Sequence, residues 1–187
     1  MTARLTLDLI IESAAWEQAD KALLTVVNES ALAAAKAEPD LCGNVAILLT
    51  DDETIRNLND RFRAQDKPTN VLSFPAHETA EDMLGDVALA FETCEREARE
   101  REISLADHVA HLTVHGLLHL VGYDHQMDDE AAEMEEQEGQ ILARLGIASP
   151  YEVQANDDND DNSNDSRTDN CRKTPLANVQ SATLDVK

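Results

Sequence analysis

The segment from His115 to His125, HGLLHLVGYDH, constrains the fold more than any other part of the sequence. Two histidines four residues apart lie on one face of a helix, about 40° from each other around its axis. Gly122 follows three residues after His119. Because glycine adopts positive φ without steric cost, it can end the helix and reverse the chain. The spacing therefore predicts that the turn returns His125 to the same point, so that three imidazoles share one metal ion.

Such a site is typical of a catalytic zinc. Three protein ligands leave one tetrahedral position open, whereas a structural zinc is normally closed by a fourth protein ligand. The alternative is three histidines that are simply packed in a helix. The spacing together with the glycine favours the metal site, with His115, His119 and His125 as ligands. Asp124 is a candidate for orienting a ligand or relaying a proton.

The residues that lead into this segment predict a buried central helix. Ser104 can cap its start. Its apolar residues lie nearly all round the axis: Leu105, Val109, Leu112, Leu117, Leu118 and Leu120. A helix that is apolar on every side is usually buried. We expect His108 to be structural, and His111, one turn before His115, to belong to the wall of the active site.

Hydrophobic periodicity and turn residues place the other elements. The predicted strands are 5–11, 45–49, 71–74 and 86–90. Helices are predicted from Ser13 to Ala37, after a capping box that begins at Thr50, over 91–101, and from Asp128 or Asp129 onward. The segment 156–164 contains only Asn, Asp and Ser, which bury too little apolar surface to offset the entropy of ordering. The sequence thus predicts a folded domain over 1–150 and a disordered, polar and acidic tail over 151–187.

Charge and cysteine content limit the compartment and the partners. The net charge of −23 argues against non-specific binding to nucleic acid, whose phosphates attract lysine and arginine. The three cysteines form no C-x-x-C pair and suggest no disulfide framework. We find neither a signal-peptide pattern nor an apolar run of about 18 residues. The expectation is a cytoplasmic protein without membrane partners.

A group of basic residues precedes the third predicted strand. Arg56, Arg61, Arg63 and Lys67 form the densest positive group in the chain. One interpretation is ordinary surface charge, which contributes little. The other is an anion clamp, since the guanidinium group pairs with two phosphate oxygens at once. Beside a zinc ion, such a clamp would favour a phosphodiester substrate.

The residue after the first histidine bears on the chemistry. Zinc proteases with an H-E-x-x-H motif carry a glutamate there, which takes the proton of the attacking water. This chain has Gly116 instead, so peptide hydrolysis is disfavoured. Zinc lowers the pKa of a bound water to about 7, and zinc with an arginine can stabilise charge on a phosphate. Whether water or a hydroxyl group of the substrate itself attacks is left open.

Four blocks of sequence resemble one known family. They are LNDRFR at 58–63, PTNVLSFP at 68–75, LGD at 84–86 and HLTVHGLLHLVGYDH at 111–125. Over residues 5–147 the chain is similar to the YbeY family of bacterial zinc-dependent endoribonucleases. The resemblance implies an α+β fold with a mixed, mostly four-stranded sheet packed by helices. By the same resemblance, His115, His119 and His125 match the ligands of one Zn²⁺ per chain, and Arg63 matches a functionally important arginine that faces RNA.

The function implied by this resemblance is single-strand RNA cleavage. The family acts in maturation of the 3′ end of small-subunit ribosomal RNA and in ribosome quality control. Ribosomal RNA, ribosomal proteins and ribosome-associated factors are the implied partners. Two other hypotheses are a zinc metallopeptidase and a ribosome-associated binding factor in which the zinc is structural.

Overall fold

Four strands and six helices make up the described part of the chain. The structure is a computed structural model and describes residues 5–77, 79–80 and 82–151. The strands are β1 (Leu5–Ile11), β2 (Gly43–Thr50), β3 (Val71–Pro75) and β4 (Met83–Ala90). The helices are α1 (Ala15–Ala19), α2 (Ala22–Ala37), α3 (Asp52–Arg63), α4 (Phe91–Glu100), α5 (Leu105–Leu120) and α6 (Asp128–Arg144).

The strands form one mixed sheet in the order β1-β2-β4-β3. β1 and β4 both run parallel to β2, so that Ile47 pairs with Leu9 on one side and Val87 on the other. β3 runs antiparallel to β4 at the edge and pairs Ser73 with Val87. The predicted α+β class and the mixed four-stranded sheet are therefore confirmed.

Helix α5 packs across one face of this sheet and forms the centre of the main core. Every residue from His108 to Leu120 is buried, as the apolar pattern predicted. A Cβ added at Gly116 would lie 2.8 Å from Cγ1 of Val87 and 3.2 Å from the Ser73 hydroxyl. These distances are too short for a side chain, so the glycine allows α5 to approach the sheet closely.

Helix α3 covers the opposite face. Side chains alternate between the two faces of a strand. Val71 and Val87 belong to the core around α5, whereas Leu72 and Ala88 pack with Ile55 of α3 in a second, smaller cluster. The sheet thus separates α3 from α5.

The region predicted as one helix from Ser13 to Ala37 is two helices, and that prediction is wrong in detail. Asp20 is extended, and its Oδ1 accepts a hydrogen bond of 2.8 Å from the backbone N–H of Ala22, which begins α2. Trp16 attaches α1 to the end of β2. Its indole N–H donates to the carbonyl of Thr50 at 2.8 Å, and the ring is fully buried.

The start of α3 also differs by one residue from the predicted capping box. Asp51, not Thr50, is the N-cap, and its Oδ1 accepts from the backbone N–H of Thr54 at 2.9 Å. The Thr50 hydroxyl is buried and donates to the carboxylate of Glu12. Thr50 therefore belongs to the end of β2.

The predicted tail falls almost wholly beyond the described residues. Only Tyr151 of the segment 151–187 is described. The division into a domain over 1–150 and a tail stays a prediction. Among the described helices, none has both the length and the apolar character that crossing a bilayer requires.

Candidate metal centre

The end of α5 is built to turn the chain sharply. Gly122 has a φ of +96°, and its N–H donates to the carbonyl of His119 at 3.2 Å. The N–H of Tyr123 donates to the carbonyl of Leu118, also at 3.2 Å. This pair of bonds is the Schellman motif, which requires a residue with positive φ at this place. The glycine therefore reverses the chain as the spacing predicted.

The turn places His125 beside two histidines of α5. The ring centroids lie 4.6 Å apart for His115 and His119, 5.2 Å for His119 and His125, and 5.6 Å for His115 and His125. One ring nitrogen of each lies within 4.8 Å of the other two. His115 and His119 are buried, whereas His125 is half-buried. We call these three residues the histidine trio.

The donor atoms of the trio suit a divalent metal ion. Nε2 of His115 and Nε2 of His119 face each other at 3.1 Å. Two Zn–N bonds of about 2.0–2.1 Å at a tetrahedral angle separate their nitrogens by about 3.3 Å. Burial, followed by the charges of His115 and His125, lowers the pKa of His119 to about 3. This keeps the ring in the neutral form that binds metals.

A buried carboxylate behind the trio was not predicted from the sequence. Oε1 of Glu138, in α6, accepts a hydrogen bond of 2.7 Å from Nδ1 of His115. Because an ionised carboxylate only accepts, Nδ1 carries the proton and Nε2 keeps its lone pair for a ligand. The sequence did contain a signal. Glu138 comes four residues after Met134 and three before Ile141, on the apolar stripe of α6.

The other oxygen of this carboxylate has two partners. Nε2 of His111 donates to Oε2 of Glu138 at 3.0 Å, and the hydroxyl of Tyr151 donates to the same oxygen. Burial alone would raise the pKa of Glu138, but the hydrogen bonds from His111 and His115 hold that pKa well below its usual range. The carboxylate is therefore charged although it is completely buried.

The histidines that precede the trio on α5 support other residues. His111 is 4% exposed and contacts Glu138 and Tyr151, so it braces the carboxylate instead of forming an open wall. His108 is fully buried, as expected for a structural residue, and its Nε2 lies 2.9 Å from Oε2 of Glu97.

A second set of potential ligands overlaps the first. Atoms of His111, His115 and Glu138 also lie within 4.8 Å of one another. All three residues are buried, and the carboxylate already accepts from both rings. The trio is the better metal site because its half-buried His125 gives access to solvent.

Position 116 is directed into the sheet and not toward the site where a peptidase would need its general base. A Cβ at Gly116 would point at Val87, Ser73 and Val71 of the sheet. The Ser73 hydroxyl also donates to the carbonyl of Gly116 at 2.9 Å. A glutamate at position 116 would point into the packed sheet. It could therefore not serve as the general base of an H-E-x-x-H enzyme.

Two members of the predicted basic group are engaged with side chains of their own region. Arg56 forms an exposed ion pair with Asp66, with Nε 2.5 Å from Oδ1. The guanidinium of Arg61 lies 5.1 Å from the centre of the Phe62 ring. Arg63 is the last residue of α3 and is half-buried, which lowers its pKa. Because α3 and α5 lie on opposite faces of the sheet, Arg63 belongs to a different layer from the trio. Its role in the site stays a prediction.

Asp124 contacts the backbone of the third histidine of the trio. Its Oδ1 accepts a hydrogen bond of 2.8 Å from the N–H of His125. This contact helps to fix the turn that carries the third histidine.

Comparison with known proteins gives a consistent result. Residues 10–146 match the family model described as Endoribonuclease YbeY. A protein of that name from Maricaulis maris (strain MCS10) is 53% identical over 146 residues, which cover 77% of this chain and 90% of the relative. Another, from Rhodopseudomonas palustris (strain ATCC BAA-98 / CGA009), is 47% identical over 157 residues, covering 80% and 83%.

The fold also has a counterpart of known structure. The solution structure of TM1509 from Thermotoga maritima aligns with a TM-score of 0.51 and 24% identity. The alignment covers 79% of this chain and 100% of that one. At this identity the likeness speaks for the fold alone.

Proposed function

The chain belongs to the endoribonuclease YbeY family, and on that premise we propose that it is a zinc-dependent endoribonuclease acting on single-stranded ribosomal RNA. The observation that carries the proposal is the histidine trio, whose ligand atoms converge at the end of a buried helix. Within the described residues the set contains three protein donors, which suits a catalytic site with an open position better than a structural one.

One Zn²⁺ per chain is the metal we propose, with His115, His119 and His125 as ligands. Imidazole suits zinc. Burial lowers the pKa of His115 and of His119, which favours the neutral rings that bind a metal ion. When bound, the ion supplies Lewis-acid chemistry at the scissile phosphate. Glu138 holds the proton on Nδ1 of His115, so the opposite nitrogen of that ring is available as a donor.

Arg63 is the proposed phosphate-binding residue. An arginine stays protonated at every physiological pH, even where burial lowers its pKa. Its planar group can donate two parallel hydrogen bonds to a phosphodiester. The guanidinium would thus hold the substrate and stabilise charge on the phosphate while the bond is cleaved.

The substrate proposed from the family is the 3′ end of small-subunit ribosomal RNA, with a further role in ribosome quality control in the cytoplasm. The protein is strongly acidic, with 38 Asp and Glu against 15 Lys and Arg. Such a charge opposes unassisted binding to RNA. We therefore propose that ribosomal proteins or ribosome-associated factors bring the RNA to the site.

The test uses the full chain with two substrates. Purified protein is incubated with a single-stranded RNA that spans the 3′ end of small-subunit ribosomal RNA, and in parallel with casein. We expect cleavage of the RNA only, loss of cleavage with EDTA and recovery on adding Zn²⁺. The His119→Ala variant is the control for a contaminating nuclease. Cleavage of casein, or RNA cleavage that survives in this variant, would contradict the proposal.

A further inference from the structure

The contacts behind the trio form a continuous chain of side chains. The Tyr151 hydroxyl donates to Oε2 of Glu138, whose Oε1 accepts from Nδ1 of His115. The other nitrogen of the His115 ring faces His119 at 3.1 Å. A residue beyond the end of α6 is therefore linked to a metal ligand through one carboxylate.

Both oxygens of the Glu138 carboxylate accept hydrogen bonds. Glu138 is completely buried, and three donors surround it: His115 on one oxygen, His111 and Tyr151 on the other. Burying a charged group is unfavourable unless it is fully hydrogen-bonded. Burying an apolar residue at this position on the stripe of α6 would be more favourable in free energy than burying a carboxylate. The arrangement is better explained by what the charge does to His115 than by stability.

Tyr151 restrains the carboxylate from the outside. Its ring meets His111 edge-on, with centroids 5.8 Å apart, and its backbone N–H donates to the Ser149 hydroxyl at 3.3 Å. The chain after α6 thus folds back over the site. Without the phenol, Oε2 of Glu138 would keep only the bond from His111, and the carboxylate could rotate away from His115.

We propose that Glu138 and Tyr151 are positioning residues, which together set the orientation of His115 and thereby the metal affinity of the trio. The inference rests on the proposed metal role of the trio. It assigns no new chemistry to either residue. It places control of the metal site in α6 and in the segment that follows it.

The experiment measures metal binding without RNA. Zn²⁺ affinity of the full chain is determined by competition with a chromophoric chelator, and the absorption spectrum of the Co²⁺-loaded protein reports ligand geometry. The variants are Tyr151→Phe, which removes one oxygen, and Glu138→Gln, which keeps the shape and removes the charge. Circular dichroism verifies that each variant is folded.

A matched control is available at the other end of the sheet. Thr50 also donates a buried hydroxyl to a carboxylate, that of Glu12. Thr50 pairs with Ala90, the last residue of β4, whereas the end of α5 that carries the ligands lies near Gly85 at the beginning of that strand. Thr50→Val therefore removes a hydroxyl-to-carboxylate hydrogen bond beside the opposite end of β4.

We expect Tyr151→Phe to weaken Zn²⁺ binding about tenfold and Glu138→Gln by about 10- to 100-fold. Both should alter the Co²⁺ spectrum, and Thr50→Val should change neither readout. Wild-type affinity and spectrum in both variants would overturn the positioning role. If instead the wild-type protein binds metal, the variants bind it weakly, and no RNA is cleaved, the proposed function fails and the positioning role stands.

Discussion

The Tyr123 hydroxyl donates a hydrogen bond of 2.8 Å to Oε2 of Glu38, across 85 residues of sequence. Glu38 is the C-cap residue of α2, and its Oε1 accepts from the backbone N–H of Asp40. Tyr123 lies in the turn between His119 and His125. This bond therefore ties the turn that carries the third histidine to a neighbouring helix.

Removing this bond should loosen the third ligand. Burial, followed by the hydrogen bond to Glu38, raises the pKa of Tyr123 to about 12, so the phenol remains a donor at neutral pH. We expect Tyr123→Phe to lower Zn²⁺ affinity about threefold to tenfold, in line with about 1 kcal/mol for one hydrogen bond. The measurement is chelator competition on the full chain. Unchanged affinity would show that Asp124 and the Schellman motif suffice to hold His125.

The turn itself should tolerate asparagine better than alanine. A Cβ added at Gly122 would meet open space, but the residue has a φ of +96°, so backbone conformation alone opposes a side chain there. We expect Gly122→Ala to destabilise the protein by about 1–2 kcal/mol and to weaken metal binding. Gly122→Asn should lose less, because asparagine adopts positive φ more readily. Urea denaturation checks both, and an equal loss in the two variants would contradict this explanation.

Close packing of α5 predicts a large effect at Gly116. A Cβ there would meet Val87 at 2.8 Å, so we expect Gly116→Ala to destabilise by about 1–3 kcal/mol. Gly139 in α6 is the control, since its added Cβ would lie 3.6 Å from the nearest atom. Gly139→Ala should stabilise the protein by about 0.5–1 kcal/mol. Equal effects of the two substitutions in urea denaturation would refute the packing argument.

Metal binding and phosphate binding should separate by mutation. His119→Ala removes a buried ligand and should abolish Zn²⁺ binding and activity together. Arg63→Ala should keep the metal and lower the rate of RNA cleavage by about 100-fold or more. Metal content and cleavage rate are measured on the same preparations. A fully active Arg63→Ala variant would remove Arg63 from the proposed mechanism.

Acid should destabilise the protein through the pair of His108 and Glu97. Burial lowers the pKa of His108 below its ordinary 6.5 despite the attraction of Glu97. Burial alone would raise the pKa of Glu97, but the hydrogen bonds from His108 and Asn70 lower it below 4.5. Both shifts mean that the unfolded chain binds protons first, so stability falls as the pH drops below 6.5 and falls further below 4.5.

Urea denaturation at a series of pH values in excess EDTA measures this loss without interference from metal release. The variant Glu97→Gln should flatten the lower part of the curve, because the group that titrates there is gone. A stability curve that is identical in the variant and the wild type would contradict the assignment to this pair.

Local sequence signals account for the histidine trio, whereas the residues that support the trio come from distant parts of the chain. The i, i+4 histidines and Gly122 act within one helix end, so spacing predicted their convergence. Glu138 reaches His115 across 23 residues and Tyr151 reaches His111 across 40, and no local rule places α6 beside α5. The local signal for Glu138 is its position as an acidic residue on the apolar stripe of α6.

The fold shows the same division. Strand positions followed from short apolar runs, but helix boundaries depended on single contacts. Asp20 interrupts the first helical region through one side-chain hydrogen bond. The Thr50 hydroxyl bonds to Glu12 at the end of β2, and Asp51 is therefore the residue that caps α3. Competing short polar side chains of this kind are nearly equivalent as caps, so their choice is decided by tertiary structure.

Two of the three imidazoles stand on α5, the helix at the centre of the core, and the buried residues around that helix hold its backbone in place. Small zinc-binding modules unfold when the metal is removed, because metal binding and folding are a single event in them. Here we expect the two processes to be largely uncoupled, because the helix that carries two of the histidines is buried in a large apolar core. A chelator should remove the metal ion and leave the protein folded and able to bind the metal again.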